Sequence, residues 1–222
     1  IGTYQADRPW ETCMTLCQQW AWKPDDAMKS LKECIQALVL CAGGDGNLLF
    51  NVGPMPDGRV EPRQAERLRE MGAWLATNGE SIYGTRGGPW KPTRAVASTR
   101  RGNVIFVHVL RRDGDAVTLP DIPLRVEAAR LLGGEAVEVH QANGVLVLRV
   151  PPGTRQEIDT LVRLELSGSA MSLEAVELPR LVKATASNVF RNRASEYGPE
   201  MAFDNDPEGK GQAFRLNLLG ST

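Results

Sequence analysis

The 222-residue sequence lacks long apolar runs, strong net charge and clustered histidines. No stretch approaches the ~20 apolar residues of a membrane-spanning helix, so we expect no membrane partner. The net charge is −1 at pH 7, which gives no electrostatic reason to expect a nucleic-acid partner. The two histidines, His108 and His140, fall in predicted strands, where we expect them to be half-buried rather than catalytic. No Ser/His/Asp set can be proposed.

Cysteine is scarce, and all four cysteines lie in the first fifth of the chain. The spacing of Cys13, Cys17, Cys34 and Cys41 matches no zinc-binding pattern, and no histidine lies among them. Cys34 and Cys41 fall on a predicted helix that is apolar almost all round, where a thiol packs as a small hydrophobic group. We therefore expect buried free thiols, no bound metal and no other cofactor.

The first part of the chain alternates strand and helix. Residues 12–16 are predicted as a strand, and acidic residues at 25–26 indicate a helix that begins there and ends at Gly43-Gly44. Residues 47–52 form a second apolar run, typical of a strand covered on both faces, and a second helix is predicted from Glu61-Pro62 to Asn78-Gly79. This order predicts the last two βα units of a TIM (β/α)8 barrel, with most of the barrel upstream of Ile1.

The apolar period then changes from helical to two, which predicts an antiparallel β-sandwich after the α/β part. The predicted strands are residues 104–110, 116–119, 124–130, 136–140, 145–150 and 162–166. Asn143-Gly144 predicts a two-residue hairpin turn between two of them. The predicted organisation is a barrel part at 1–92, the β-sandwich at 93–168, a linker at 169–183 and an incomplete module at 184–222.

Large aromatic side chains cluster near the predicted strand ends. Trp10, Trp20 and Trp22 are candidates for stacking on the apolar face of a sugar, and the Glu11 carboxylate is a candidate acceptor for sugar hydroxyls. Composition alone favours the alternative, in which these indoles pack the barrel rim and Glu11 pairs with a surface arginine.

Two further features are open to a binding role. Asn51 ends the second predicted strand, where its amide could face a substrate or close a turn with Gly53-Pro54. The glycine-rich residues 43–47 look like a phosphate-binding loop, but they follow a helix and precede a strand. Because a phosphate loop needs the opposite order, we reject that function.

Four segments, in order, resemble family-29 glycoside hydrolases, the retaining α-L-fucosidases. They are residues 9–15 (PWETCMT), 19–22 (QWAW), 43–54 (GGDGNLLFNVGP) and 78–85 (NGESIYGT). Past Arg100 the resemblance is to architecture only, the β-sandwich that follows the barrel in that family. Residues 184–206 are similar to the opening of a discoidin-type carbohydrate-binding module.

The resemblance implies hydrolysis of terminal α-L-fucose by double displacement between two carboxylic acids. It places the nucleophile, and the acid/base residue with it, upstream of Ile1; Glu11 is a candidate catalytic carboxylate, although a binding or orienting role is preferred. Trp20 matches the aromatic position that packs the fucose methyl group, whereas Trp22 stands where many relatives have tyrosine. The Gly-Gly-Asp-Gly-Asn form at 43–47 resembles the branch that acts on α-1,3 and α-1,4 linkages.

The resemblance also implies partners and a location. We expect fucosylated glycans as substrates, a secreted or periplasmic location, and the missing N-terminal part of the barrel bound to this chain. The alternative is a non-catalytic carbohydrate-binding protein, in which the β-sandwich and the discoidin-like segment bind the glycan.

Overall fold

A computed structural model describes residues 3–111, 114–151 and 153–178. The chain divides into two units, Ile1–Leu178 and Pro179–Thr222. The discoidin-like segment at 184–222 therefore lies outside the described residues. The described elements, in chain order, are β1 (Glu11–Thr15), α1 (Leu31–Gly43), β2 (Asn47–Asn51), α2 (Pro62–Asn78), β3 (Arg86–Gly87), β4 (Val96–Arg101), β5 (Val104–Val109), β6 (Ala116–Pro120), β7 (Val126–Leu131), β8 (Glu138–Ala142), β9 (Val145–Arg149) and β10 (Thr160–Leu166).

Strands β1 and β2 pair in parallel, with α1 as the connection between them. The register runs from Glu11 opposite Asn47 to Thr15 opposite Asn51. Both strands therefore start at one edge of the sheet and end at the other, and residues that follow Thr15 and Asn51 are brought together. The predicted strand–helix–strand–helix order is confirmed, and its assignment to a TIM barrel stays a prediction.

Helix α1 begins later than predicted. Residues 25–26 lie in a loop, and Asp25 has a positive φ of 53° that a helix cannot contain. The helix starts after Ser30, whose side chain accepts a hydrogen bond from the Glu33 amide while the Glu33 carboxylate accepts one from the Ser30 amide. This capping box satisfies two helix-end donors, which explains why the helix begins there.

Within the described residues, strand β2 is covered on one face only, and the cover predicted for its other face stays a prediction. Leu49 is 49% exposed, and Cys13, its partner in β1, is exposed as well. The opposite face packs Phe50 against the core formed by α1 and its neighbours. The two-stranded sheet is therefore buried on its helix side only in the described structure.

The second half of the described chain forms two antiparallel sheets, as predicted. One sheet has the order β3-β4-β5-β10-β7 and the other β6-β9-β8. Their inner faces share one core cluster, which contains Trp90, Val107, Leu148 and Leu164, all fully buried. Asn143 and Gly144 join β8 to β9 with φ of 55° and 77°, the two positive angles of the predicted hairpin turn.

Strand β4 was missed because its sequence carries buried polar residues. Ser98, Thr99 and Arg100 are all buried, so the strand shows no alternation of apolar and polar residues. The Arg100 guanidinium donates to the carbonyls of Ala170 (2.9 Å) and Leu173 (2.5 Å). These two hydrogen bonds hold residues 170–173 against the sandwich.

Residues 169–178 are not a linker, contrary to the prediction. Ala170 and Leu173 are buried in the sandwich core, and Val176 forms a β-bridge with Trp90. The segment is packed because it supplies carbonyl acceptors to the buried Arg100 and apolar side chains to the core. The remaining domain boundaries stay predictions.

The histidines are not half-buried. His108 is fully buried, and its Nδ1 lies 2.6 Å from Oδ2 of Asp159, which is also fully buried. His140 is exposed, at a position of β8 whose side chain points away from the core.

The cysteines are free, and three of the four are buried as expected. Cys17, Cys34 and Cys41 are buried, whereas Cys13 is exposed on the open face of the two-stranded sheet. Burial raises the pKa of the Cys34 thiol to about 11.

Candidate functional site

The loop that follows β1, residues 17–28, lies across the carboxyl end of β2. The Leu16 amide donates to the Asn51 carbonyl (3.0 Å), which carries the pairing one residue past β1. The Asn51 side-chain amide donates to the Trp20 carbonyl (2.8 Å). Asn51 therefore holds the loop directly and does not close a turn with Gly53-Pro54.

Gly53 allows the same loop to approach β2 closely. A Cβ atom at this position would lie 2.4 Å from the Trp22 amide nitrogen and 2.8 Å from the Ala21 carbonyl carbon. Both neighbours are backbone atoms, so any larger side chain would push the loop away. Together, Asn51 and Gly53 fix where Trp20 and Trp22 stand above the strand ends.

The two indoles of this loop differ in exposure. Trp20 is 58% exposed, while Trp22 is half-buried and its indole nitrogen is fully covered. An exposed indole next to a polar amide offers an apolar face to a ligand. The Trp22 indole lies close to the Glu61 carboxylate, but Nε1 forms no hydrogen bond of good geometry among the described residues.

Glu61 is a buried carboxylate close to Trp22 of the loop. Its carboxylate accepts hydrogen bonds from the Arg63 guanidinium and from the Gln64 amide (3.1 Å). The Arg63 hydrogen bond, followed by that of Gln64, lowers the pKa of Glu61 below its ordinary value. Sequence analysis treated Glu61 only as the start of α2.

Asp26 is a buried carboxylate within the loop, with 4% of its surface exposed. It accepts hydrogen bonds from the backbone amides of Gln19 (2.8 Å) and Ala27 (3.1 Å). Sequence analysis missed its role because an acidic residue after proline is also typical of the first turn of a helix. No local pattern separates the two cases.

Lys29 secures the base of the loop. Its ammonium donates to the carbonyls of Thr15 (2.6 Å) and Cys17 (3.4 Å), and the Thr15 hydroxyl donates to the same Cys17 carbonyl. Cys17 and Met28 form a β-bridge across the two ends of the loop. The loop is therefore a closed unit tied to the end of β1.

Trp10 and Glu11 lie at the opposite end of the sheet. Glu11 is the first residue of β1, and four strand steps separate it from Thr15, roughly 13 Å at ~3.3 Å per residue. The Trp10 indole nitrogen lies within hydrogen-bond distance of the Gln5 carbonyl (3.1 Å) and the Gly44 carbonyl (3.2 Å). The structure thus brings together Trp20, Trp22 and Asn51, but not Trp10 and Glu11.

A cavity of about 490 Å³ adjoins Trp10 and Glu11 at this amino end, with Asn47, Tyr83 and Arg86 among its lining residues. The Trp10 ring closes against the glycine-rich segment, because a Cβ at Gly46 would lie 2.2 Å from it. The Trp10 ring therefore packs against this segment, and its sugar-stacking role stays a prediction.

The glycine-rich segment at 43–47 binds a side chain of this chain rather than an anion. Asp45, at a positive φ of 70°, accepts hydrogen bonds from the Arg86 guanidinium (2.8 and 2.5 Å) and the Gly87 amide (2.7 Å). Burial raises the pKa of the Asp45 carboxyl, but these hydrogen bonds outweigh it and the pKa lies below its ordinary value. The segment joins α1 to β2, the order that excludes a phosphate loop.

The described residues contain no group of three or more His, Cys, Asp or Glu placed to hold a metal ion. Within the same residues, no helix has the length and apolarity needed to cross a membrane.

Comparison with known proteins agrees with the resemblance at the sequence level. The family model described as α-L-fucosidase matches residues 2–80, which include β1, α1, β2, α2 and both groups of candidate residues. Residues 2–80 are therefore similar to the α-L-fucosidase family. The tissue α-L-fucosidase of Rattus norvegicus is 32% identical over 165 residues, which cover 67% of this chain and 35% of the relative.

Solved fucosidase structures extend the likeness to the fold. The α-L-fucosidase isoenzyme 1 of Paenibacillus thiaminolyticus is 31% identical with a TM-score of 0.65, over 72% of this chain and 40% of that chain. The α-fucosidase of Thermotoga maritima in complex with fucose is 29% identical with a TM-score of 0.62, over 72% and 40%. This chain spans 21–35% of the lengths of three curated fucosidase relatives.

Proposed function

We propose that this chain is part of an α-L-fucosidase and supplies one wall of the fucose pocket. The observation that carries the proposal is the exposed Trp20, fixed by Asn51 above the carboxyl ends of two parallel strands. In a (β/α)8 barrel this is the edge that carries the active site, and the fucosidase-family segment is proposed as the last two βα units of such a barrel. The fucose complex of the Thermotoga relative supports a fucosylated substrate.

Trp20 is proposed to pack the methyl group that distinguishes fucose from galactose. An exposed indole face gains by covering an apolar methyl, and a hydroxyl at the same position would be desolvated without a partner. Asn51 holds the backbone of Trp20 in place by donating a hydrogen bond to its carbonyl. Trp22 is proposed to line the pocket floor, because most of it is already covered by the loop and Glu61.

No catalytic carboxylate is assigned to the described residues. Asp26 is occupied by two loop amides, and Glu61 is bound to Arg63 and Gln64. Glu11 lies at the far end of β1 from Trp20. We therefore propose that both carboxylates of the retaining mechanism come from outside this chain, from the part of the barrel that would bind to it.

The finer expectations are carried by the resemblance alone. A secreted or periplasmic location, and a discoidin-like module after residue 178, remain proposals of this kind. The leaning to α-1,3 and α-1,4 linkages rests on residues 43–47, which lie at the amino end of β2 where Asp45 binds Arg86. Nothing in the described structure favours the alternative of a non-catalytic carbohydrate-binding protein.

Replacing Trp20 in the full-length protein tests the proposal. Burial of a large apolar side chain contributes ~1.5–3 kcal/mol, so Trp20→Ala should lower kcat/KM on an aryl α-L-fucoside roughly ten- to hundredfold. The matching α-L-galactoside should lose less, because it has no methyl group to pack. Tyr83→Ala removes an exposed aromatic ring at the amino end of the sheet and should leave both values unchanged.

Two outcomes would contradict this proposal. Equal losses on both sugars after Trp20→Ala would return the indole to a packing role. Turnover of the fucoside by the purified 222-residue chain alone would show that it contains the catalytic carboxylates after all.

A further inference from the structure

The loop that carries Trp20 is closed by one carboxylate. Asp26 Oδ2 accepts from the Gln19 amide, next to Trp20, and Oδ1 accepts from the Ala27 amide at the other end of the loop. Between these two amides the chain contains no helix or strand. The Asp26 carboxylate therefore ties the start of the indole-bearing segment to its end.

The neighbouring cations leave this carboxylate to the backbone. Among the described residues, Asp26 forms no ion pair: Lys29 donates to the Thr15 and Cys17 carbonyls, and the Arg63 guanidinium reaches the Asp26 carbonyl (3.5 Å) rather than its carboxylate. A buried carboxylate that accepts only amide hydrogen bonds is costly unless both bonds are kept. The two loop amides therefore fix the position of the Asp26 carboxylate, and the carboxylate in turn holds the two ends of the loop together.

Asn51 and Asp26 hold Trp20 from two sides. Asn51 binds the Trp20 carbonyl, and Asp26 binds the amide of the residue immediately before it. Because one peptide bond separates these two hydrogen bonds, they restrict the position of the backbone from which the indole projects above the strand ends. The side chain itself remains 58% exposed and free to meet a ligand.

We propose that Asp26 is a positioning residue that sets the height of Trp20 and thereby the preference for a 6-deoxy sugar over its hydroxylated counterpart. This inference rests on the proposed function, since it names the residue that makes the Trp20 contact selective. Asp26 touches no substrate and acts only through Trp20.

Amide exchange in the 222-residue chain tests the tie itself and needs no activity. Asp26→Asn keeps one carbonyl oxygen and loses the second acceptor. One of the two bonded amides, that of Gln19 or that of Ala27, should therefore exchange about tenfold faster. Asp25→Asn is the matched control: it removes the same charge one position earlier, at an exposed residue whose positive φ asparagine tolerates. Asp26→Ser, which also keeps one acceptor oxygen, replaces Asp26→Asn if the latter does not fold.

Kinetics of the full-length protein test the consequence. Asp26→Asn should lower kcat/KM on the aryl α-L-fucoside about three- to tenfold and on the α-L-galactoside by less, so the ratio between the sugars falls. General loss of folding would lower both values equally and leave the ratio unchanged. In a Trp20→Ala background, Asp26→Asn should have no further effect on the ratio, because the residue through which it acts is gone.

Each result decides the inference. Faster loop exchange, a reduced fucose-to-galactose ratio and non-additivity with Trp20→Ala together support it. Unchanged exchange, an unchanged ratio or additive effects overturn it. If the unmodified full-length protein hydrolyses no fucoside, the proposed function fails and the selectivity role of Asp26 fails with it, whereas the exchange measurement still decides whether Asp26 holds the loop.

Discussion

The β-sandwich and the α/β unit bury their strands to different extents. In the sandwich, two sheets cover each other, and residues such as Leu146 and Leu148 in β9 have no exposed surface. In the α/β unit, only the helix side of β1 and β2 is covered, and Leu49 is half exposed on the other. The same apolar composition thus contributes stability in one region and an open surface in the other.

This difference shows that β1 and β2 lack, within the described residues, the second layer that their apolar composition predicts. Burial of Leu49 needs a second layer over the open face of β1 and β2, whereas β9 finds its second layer within the described chain. We therefore expect core substitutions in the sandwich to cost far more stability than substitutions on the open face.

The largest contrast is expected between Trp90→Ala and Leu49→Ala. Trp90 is fully buried and its indole donates to the Pro120 carbonyl (2.9 Å), so its loss should cost about 3–5 kcal/mol of the free energy of unfolding. Leu49→Ala should cost less than about 1.5 kcal/mol, because half of the side chain is already in water. Urea unfolding of the 222-residue chain measures both. Similar losses for the two variants would mean that the open face is covered in solution.

A smaller effect is expected from the buried pair between His108 and Asp159. Asp159→Asn removes the charge while nearly keeping the shape, and should cost about 2–3 kcal/mol because buried His108 loses its charged partner. Glu157→Asn, at an exposed residue just before this pair, is the control and should change the free energy of unfolding by less than about 0.5 kcal/mol. A loss below 1 kcal/mol for Asp159→Asn would contradict a stabilising role for the pair.

The elements themselves were largely predictable. Helix α2 runs from Pro62 to Asn78 as expected, because proline fits the first turn and the following Gly79 marks the end. The start of α1 was not predictable from acidic residues alone: Asp26 bonds to the Gln19 amide, a contact that depends on the tertiary path of the loop.

The candidate site was predictable only where it follows from the order of the strands. Parallel pairing brings Asn51 to the loop after β1, so Trp20 and Asn51 meet as the strand order implies. Trp10 precedes β1 and Glu11 is its first residue, so both fall at the other end of the sheet, a position that depends on where β1 begins. The buried Asp26 and Glu61 have no local sequence signature and appear only when the loop is folded.

Asp45 and Arg86 form an ion pair that links the α/β part to the β-sandwich, and acid should weaken it. Asp45 follows α1, Arg86 begins the sandwich sheet in β3, and the folded pKa of Asp45 lies below its ordinary value. A lowered pKa contributes stability above the unfolded value near 3.9 and loses it as pH falls through the folded pKa. Because Arg86 is 57% exposed, solvent screens the pair and Asp45→Asn should cost only about 1 kcal/mol at pH 7. Asparagine tolerates the positive φ, so the backbone is not an added cause.

Unfolding of both proteins from pH 7 to pH 2 measures this link. The difference in the free energy of unfolding between wild type and Asp45→Asn should persist down to about pH 4 and shrink below it. A difference that stays constant into acid would show that the carboxylate charge is not what stabilises the contact.

The last contrast involves no loss of stability and concerns the thiols. Cys13 lies exposed on the open face of β1, whereas Cys17, Cys34 and Cys41 are buried. Burial also raises the pKa of all three buried thiols, that of Cys34 to about 11, which reduces their thiolate at neutral pH. One thiol of the four should therefore react rapidly with a thiol reagent at pH 7.5. Cys13→Ser should abolish that fast phase, while urea should expose the remaining three.

The same labelling in the full-length protein sharpens the comparison, because a barrel that covers β1 and β2 would slow the reaction of Cys13 without changing that of the three buried thiols. Fast labelling of Cys13 in both proteins would mean that no further part of the protein covers this face.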